Sequence, residues 1–161
     1  MCFKFNPLPD GLYNGEYYTS YVWSDDYLRV SELHTDFFEF GGPIDKNELR
    51  ALLTELNKNK TAMLGLFQGS LLIGIANLQI VEKVHYQNKK PSLLKTGQID
   101  NVIIHKDYRG RGLGKILINN VCKIAKDNGC FSVSLYCNNY NVAFYEKCDF
   151  RHSSNFMRKK L

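Results

Sequence analysis

The seven residues Arg109-Gly110-Arg111-Gly112-Leu113-Gly114-Lys115 constrain this chain more than any other stretch. They follow a strand-like segment, 98–105, that ends in the apolar run Val102-Ile103-Ile104. They precede a helix with Ile116, Leu117, Val121, Ile124 and Ala125 on one side, which Asn128-Gly129 ends in the usual C-terminal manner. Glycines between a strand and a helix let backbone approach a ligand closely, and N–H groups at a helix N-terminus favour phosphate oxygens. A Walker A loop is excluded. Gly110 and Gly114 enclose only three residues, and Ile116 stands where a metal-binding hydroxyl is required. A dinucleotide fingerprint, G-x-G-x-x-G, is one residue too long for Gly110, Gly112 and Gly114, which also come late in the chain. The pattern [RQ]-x-x-G-x-[GA] is matched by Arg109, Gly112 and Gly114. A turn that binds nothing is the plain alternative, but three glycines and three basic residues in seven positions exceed what a turn needs.

The remaining segments place this turn in a larger pattern. Residues 12–22 are rich in Tyr and Thr and read as an early strand. Ser24-Asp25-Asp26 caps a helix expected to run to about residue 39, where Gly41-Gly42-Pro43 stops it. Asp45 and Glu48 form a capping-box pattern, and Leu49, Leu52, Leu53 and Leu56 make one apolar stripe behind it. Segments 61–68 and 71–82 read as a hairpin joined at Gly69-Ser70. Residues 84–97, with His85, Gln87, Asn88, Lys89, Lys90 and Pro91, read as a polar loop. Phe131, Val133 and Leu135 alternate with polar residues as in a half-buried strand. A short helix over 142–147 and a last strand over 150–161 complete the chain. The expected fold is α/β (α+β), a mixed central β-sheet flanked by helices on both faces, as one domain over 1–161.

Charge narrows the partners. Residues 1–82 carry 6 Lys+Arg against 11 Asp+Glu, and residues 83–161 carry 15 against 5, so the halves are −5 and +10. The basic half expects an anion: nucleic acid, a phosphorylated cofactor or a membrane surface. The most apolar stretch, 71–81, is about half the ~20 residues of a membrane helix and is interrupted by Gly74, Asn77 and Gln79. No basic stripe with interleaved aromatics suggests strand binding, so neither nucleic acid nor membrane is the expected partner. Cys2, Cys122, Cys130, Cys137 and Cys148 lack a C-x-x-C, and His34, His85, His105 and His152 are dispersed, so no metal is expected. With no secretion-type apolar run at the start, the expectation is a reduced, cytoplasmic protein.

Two motifs carry a family resemblance. The glycine turn resembles the acetyl-CoA pyrophosphate loop of the GCN5-related N-acetyltransferases (GNAT). Residues 141–150, Asn-Val-Ala-Phe-Tyr-Glu-Lys-Cys-Asp-Phe, are similar to that family's N-x-x-[FA]-Y-x-x-x-G-F segment, with Asp149 in place of the glycine. Gly97-Gln98-Ile99-Asp100-Asn101-Val102, Asn128-Gly129-Cys130-Phe131 and Leu8-Pro9-Asp10-Gly11-Leu12-Tyr13 extend the resemblance to the eukaryotic glucosamine 6-phosphate N-acetyltransferases. It is dense from 97 to 150 and short elsewhere. It implies the GNAT fold, acetyl-CoA as co-substrate, an amino-sugar phosphate as acceptor, and a homodimer whose active sites draw on both chains. Another acceptor (a protein N-terminus, a lysine, a polyamine) and a non-catalytic acyl-CoA- or nucleic-acid-binding module remain the alternatives.

By this resemblance a substrate amine attacks the thioester directly, without an acyl-enzyme. Val102, Ile103 and Ile104 are expected to offer backbone N–H groups to the acetyl oxyanion. Arg109, Gly110, Arg111, Gly112, Leu113, Gly114 and Lys115 are expected around the cofactor pyrophosphate, with Lys147 at its ribose phosphate and Asn141 at its pantetheine. Tyr145 stands at the family's tyrosine and is expected to serve the departing thiolate. Relatives place an acidic residue directly before a cysteine on the strand after the long helix; here Tyr136 precedes Cys137, and a phenol is a poor base near neutral pH. The Glu-Asp pair of the preceding strand is Asp100-Asn101 here. Asp100 is the expected base, directly or through water; the alternative is that no side chain acts as base, because ring oxygens already lower the pKa of an amino sugar. Asn101, Val102, Phe131, Ser132, Tyr136 and Lys160 complete the expected acceptor site, Ser132 replacing a common lysine.

Overall fold

The computed structural model describes residues 16–37, 45–56, 60–87 and 90–152. Strand β1 is Tyr17–Tyr21, and a 3₁₀ turn, Ser24–Asp26, leads into α1, Tyr27–Phe37. Helix α2 is Lys46–Leu56, β2 is Thr61–Gln68, β3 is Leu71–Gln87 and β4 is Lys90–Ile104. A 3₁₀ turn at Lys106–Tyr108 precedes α3, Leu113–Asp127, which returns the chain to β5, Cys130–Leu135. A 3₁₀ turn at Asn139–Asn141 opens the short α4, Val142–Glu146.

The five strands lie in the order β1-β2-β3-β4-β5. The first three pairings are antiparallel, and β4–β5 is parallel, so α3 serves as the crossover a parallel pair requires. This is the mixed sheet with helices on both faces that the sequence led us to expect. On one face Leu117, Ile118, Val121, Ile124 and Ala125 of α3 pack against Ala62, Leu64, Leu66, Ile73, Ala76, Leu78 and Ile99. On the other, Val30 and Leu33 of α1 and Leu53 of α2 pack against Met63, Phe67, Leu72, Ile75 and Ile103. The α2 entry behaves as its capping pattern suggests, with the Asp45 carboxylate accepting from the Asn47 and Glu48 backbone N–H groups at 2.9 and 3.0 Å.

Two expectations need correction. Residues 84–97 are not a loop: β3 and β4 pair from Gly74–Ile104 out to Gln87–Lys90. Val84 faces Leu93 and Tyr86 faces Pro91 across this ribbon. Polar side chains misled the reading because the ribbon projects past β2, whose pairing with β3 stops at Gln79, and both its faces meet solvent. Its root is held by Glu82, which takes Lys60 at 2.8 Å, and that hydrogen bond holds its carboxyl below the usual range. Second, Phe131 does not alternate inward with Val133 and Leu135; it is exposed. The β4–β5 register slips between Lys95–Cys130 and Thr96–Ser132, which leaves Phe131 as the extra residue of a bulge. The expected last strand falls mostly outside the described residues: 150–152 are not in a strand, and 153–161, with Lys160, are not described, nor are Leu8–Tyr13 and Gly41-Gly42-Pro43.

Candidate active site

The sheet opens where β4 and β5 part. Their pairing runs from Lys95–Cys130 to Ile99–Leu135 and then ends, while β4 continues to Ile104. Just past the parting point Asn101 has φ 51, and two residues, Asn101 and Val102, stand opposite the single Ala76 of β3. Such a bulge bends its strand and re-aims the backbone beside it. Asn tolerates the left-handed region better than most residues, which suits it to this position.

Beyond the bulge the ladder is regular, and it decides which backbone groups are free. The His105 N–H donates to the Ile73 carbonyl at 2.8 Å, so Ile103, two residues back, also turns its N–H toward β3. Ile104 and Val102 turn theirs toward the edge that β5 has left. Of the three expected oxyanion donors, therefore, Val102 and Ile104 lie on the open edge and Ile103 belongs to the ladder. The Ile104 carbonyl on that edge accepts from Arg109 Nε at 3.0 Å.

The glycine turn closes one end of this opening. Gly110 and Gly112 both have φ 76, and a Cβ added at either would meet nothing within 4 Å. Conformation, not crowding, demands glycine there, and the space above the loop is open to a ligand. Gly114 is glycine for the other reason: a Cβ would stand 3.0 Å from the Phe144 ring of α4. Gly112 caps α3, whose first N–H groups have no acceptor within the helix and, with the helix dipole, make a seat for an anion. Arg111 is tied to its own loop, donating to the Asp107 carbonyl at 2.9 Å and lying 5.2 Å over the Tyr108 ring. Tyr108 in turn donates to Gln68 Oε1 at 2.8 Å. Sequence reasoning gave Tyr108 no role, yet it anchors the turn to β2. Lys115 lies exposed in the first turn of α3, and Leu113 is buried beneath it.

Helix α4 lines the opening beside the turn, its Phe144 ring against Gly114. The Tyr145 ring packs edge-on against Phe144 and Phe150, at 4.9 and 6.0 Å between centroids. Burial, then the nearby Cys137 and Cys148 thiols, push its phenol up to about 12, so at neutral pH it is a hydrogen-bond donor. Cys137 lies just past the end of β5, which puts Tyr145 beside the parted strands. Asp149, in place of the family glycine, has φ 66, and the Phe150 N–H still closes the turn on the Tyr145 carbonyl at 3.1 Å. Asn141 is half-buried at the start of α4, and Lys147 is exposed at its end. None of the shifted thiols is primed as a nucleophile. Burial pushes Cys122 up to about 11 and also raises Cys130 and Cys148.

Asp100 lies on the face opposite α3. It pairs with Asn77 of β3, which pairs with Met63 of the core under α1 and α2. Residues directly opposite in a sheet share a face, so Asp100, Asn77 and Met63 do. Asp100, Asn101, Ser132 and Tyr136 are all exposed, Asp100 and Asn101 at the bulge and Ser132 and Tyr136 along or just past β5. The structure thus brings the glycine turn, the open edge of β4 and Tyr145 to one opening, with Asp100 at its other face. Among the described residues, no group of three His, Cys, Asp or Glu side chains is placed to hold a metal, and no helix is long and apolar enough to cross a membrane.

Comparison with known proteins agrees with this geometry. The model of the acetyltransferase (GNAT) family matches residues 27–150. A glucosamine 6-phosphate N-acetyltransferase of Trypanosoma brucei brucei is 36% identical over 90 residues, covering 56% of this chain and 58% of its own length. A Candida albicans enzyme of the same name is 27% identical over 131 residues, covering 80% and 83%. The chain thus spans a little over half of the first of these relatives and most of the second. A crystal structure of a Trypanosoma brucei acetyltransferase superposes with a TM-score of 0.75 at 26% identity, over 90% of this chain and 99% of that one.

Proposed function

The chain belongs to the acetyltransferase (GNAT) family, and from that premise we propose that it transfers the acetyl group of acetyl-CoA to the 2-amino group of D-glucosamine 6-phosphate. The observation that carries this reading is the parting of β4 from β5 beside the left-handed glycine turn, which offers backbone donors to a thioester and an anion seat to its pyrophosphate. The acceptor is taken from the relatives, two of which bear that activity in their names.

Gly110, Gly112, Leu113, Gly114 and Lys115 hold the pyrophosphate, Arg109 braces the edge of β4, and Arg111 stiffens the loop. Lys147 is assigned to the ribose phosphate and Asn141 to the pantetheine amides. The amine nitrogen attacks the thioester carbon, a C–N bond forms, the C–S bond breaks, and the second proton of the nitrogen passes to the departing thiolate, leaving a neutral amide and CoA thiol. The oxyanion that develops between these events is met by the N–H groups of Val102 and Ile104. Tyr145 donates a hydrogen bond to the departing thiolate; with its phenol at about 12, outright proton transfer to a thiolate of ordinary basicity, pKa about 8.5, runs uphill. Asp100 takes the ammonium proton before attack, while Asn101, Phe131, Ser132 and Tyr136 line the acceptor. Lys160 is kept as a contact for the sugar phosphate.

We also infer a homodimer in a cytoplasmic setting. Its support is the ribbon beyond residue 81, where Val84 and Leu93 form an exposed apolar pair and Tyr86 is exposed beside them. Another amine as acceptor is the second reading, favoured by Tyr136 standing where relatives place a carboxylate.

A thiol-release assay with acetyl-CoA and, separately, glucosamine 6-phosphate, glucosamine and a lysine peptide tests the assignment. Rapid CoA release with the sugar phosphate is expected; release with the peptide alone would overturn it.

A further inference from the structure

Asn77 is in the wrong place for a structural residue. It lies mid-strand in β3, between Ile75 and Gln79 on its own face and beside buried Ala76 and Leu78. It is 8% exposed, and its Oδ1 is buried with no hydrogen-bond partner. A buried carbonyl oxygen without a donor costs more than an ordinary hydrogen bond returns, and a β-branched residue would suit this strand better. Its surroundings show where a donor would come from. Asn77 faces Asp100 across the β3–β4 ladder, and the next pair on the same face is Gln79–Gln98. Directly opposite side chains stand about 4.5–5.5 Å apart at Cβ. Four polar side chains thus form a square on the α1–α2 face, beginning where the apolar core of Met63, Ile75 and Ile103 ends. The bulge at Asn101 and the open edge of β4 adjoin it.

We propose that Asn77 is a specificity-determining residue of the acceptor site: its amide, with Oδ1 turned inward here, rotates when the acceptor binds so that Oδ1 accepts a hydrogen bond from a hydroxyl of a polyhydroxylated amine. The square gives that hydroxyl an amide acceptor at the apolar border, with Asp100 beside it for the amine. Gln79 and Gln98 supply further donors and acceptors to the rest of the sugar. A lysine side chain or a polyamine carries no hydroxyl for this position, so the amide selects the sugar-like acceptor. This rests on the amino-sugar reading above.

The variants Asn77→Val and Asn77→Thr test it, since they have nearly the same shape and differ in whether an acceptor oxygen is kept. With glucosamine 6-phosphate, Asn77→Val is expected to raise the acceptor KM about five- to tenfold, the worth of one neutral hydrogen bond. The acetyl-CoA KM stays within about twofold. Asn77→Thr recovers a measurable part of the loss, and neither variant melts below the wild type. An unchanged acceptor KM in Asn77→Val, with a raised melting temperature, would show a buried orphan and overturn the proposal. Equal losses in Val and Thr would overturn it as well. A wild type inactive on glucosamine 6-phosphate is a different result, which removes the amino-sugar reading and this inference with it.

Discussion

The loop on the α3 side of the sheet presents backbone to the opening, whereas the α1–α2 face presents side chains. Gly110, Gly112 and the first turn of α3 offer N–H groups set by φ angles, and the arginines beside them are partly spent on bracing the loop. Across the sheet, Asn77, Gln79, Gln98 and Asp100 offer amides and a carboxylate that one substitution would change. A backbone site tolerates sequence change as long as the glycines remain. A side-chain site is retuned residue by residue. That difference is consistent with the sequence resemblance, which is close at the loop and departs at Asp100, Asn101, Ser132 and Tyr136.

The largest effect expected is on the side-chain face. Asp100→Asn keeps the shape and removes the carboxylate we propose as base, so kcat should fall about 10²–10⁴-fold while the acetyl-CoA KM stays near its wild-type value. The acidic limb of the pH–rate profile should go with it. If kcat and that limb both survive, no side chain on this face acts as base, and the face only binds.

Gly112→Val strikes the other side. A β-branched residue at φ 76 is strained by about 1–2 kcal/mol, and relief of that strain moves the N–H groups off the pyrophosphate. We expect kcat/KM for acetyl-CoA to drop about a hundredfold, as the loss of one or two charge-assisted hydrogen bonds would give, with the acceptor KM little changed. An acceptor KM that rose as steeply would mean the two faces are not separable.

How far this was legible depended on the same contrast. The glycine turn, α3 and the apolar hairpin partners could be read because each has a local cause: a φ only glycine takes readily, a 3.6-residue stripe, an alternation. Tyr145 could be read through its motif. The ribbon could not, because its strands bury little and pair only with each other, so Lys83, His85 and Ser92 look like loop residues until Leu94, Leu93 and Ser92 are seen opposite Lys83, Val84 and His85. Phe131 was misplaced because a bulge is a property of the pairing, not of either strand. Asn77 was visible only as an interruption of an apolar run. Its register against Asp100 depends on a second bulge, at Asn101, that no local pattern announces.

Tyr145 lies at the seam of the comparison, beside the opening that both faces share, and its removal should have the smallest effect of the three. Tyr145→Phe keeps the ring packing against Phe144 and Phe150 and deletes the hydrogen bond we propose to the thiolate, so kcat should fall about tenfold with both KM values nearly constant. Stability gives an independent reading. The folded phenol titrates at about 12 against about 10 when unfolded, so the folded state holds its proton more tightly. Its contribution is present below about pH 10 and is lost as pH rises toward 12. Denaturant midpoints at pH 9 and pH 11 should therefore differ less in Tyr145→Phe than in the wild type. Tyr21, also pushed up to about 12 but by burial and Asp127 on the far side of β2, serves as the control. Tyr21→Phe should reduce the same pH dependence and leave kcat alone. If Tyr145→Phe did likewise, its phenol would be a packing group, and the thiolate would leave with help from the backbone side of the site alone.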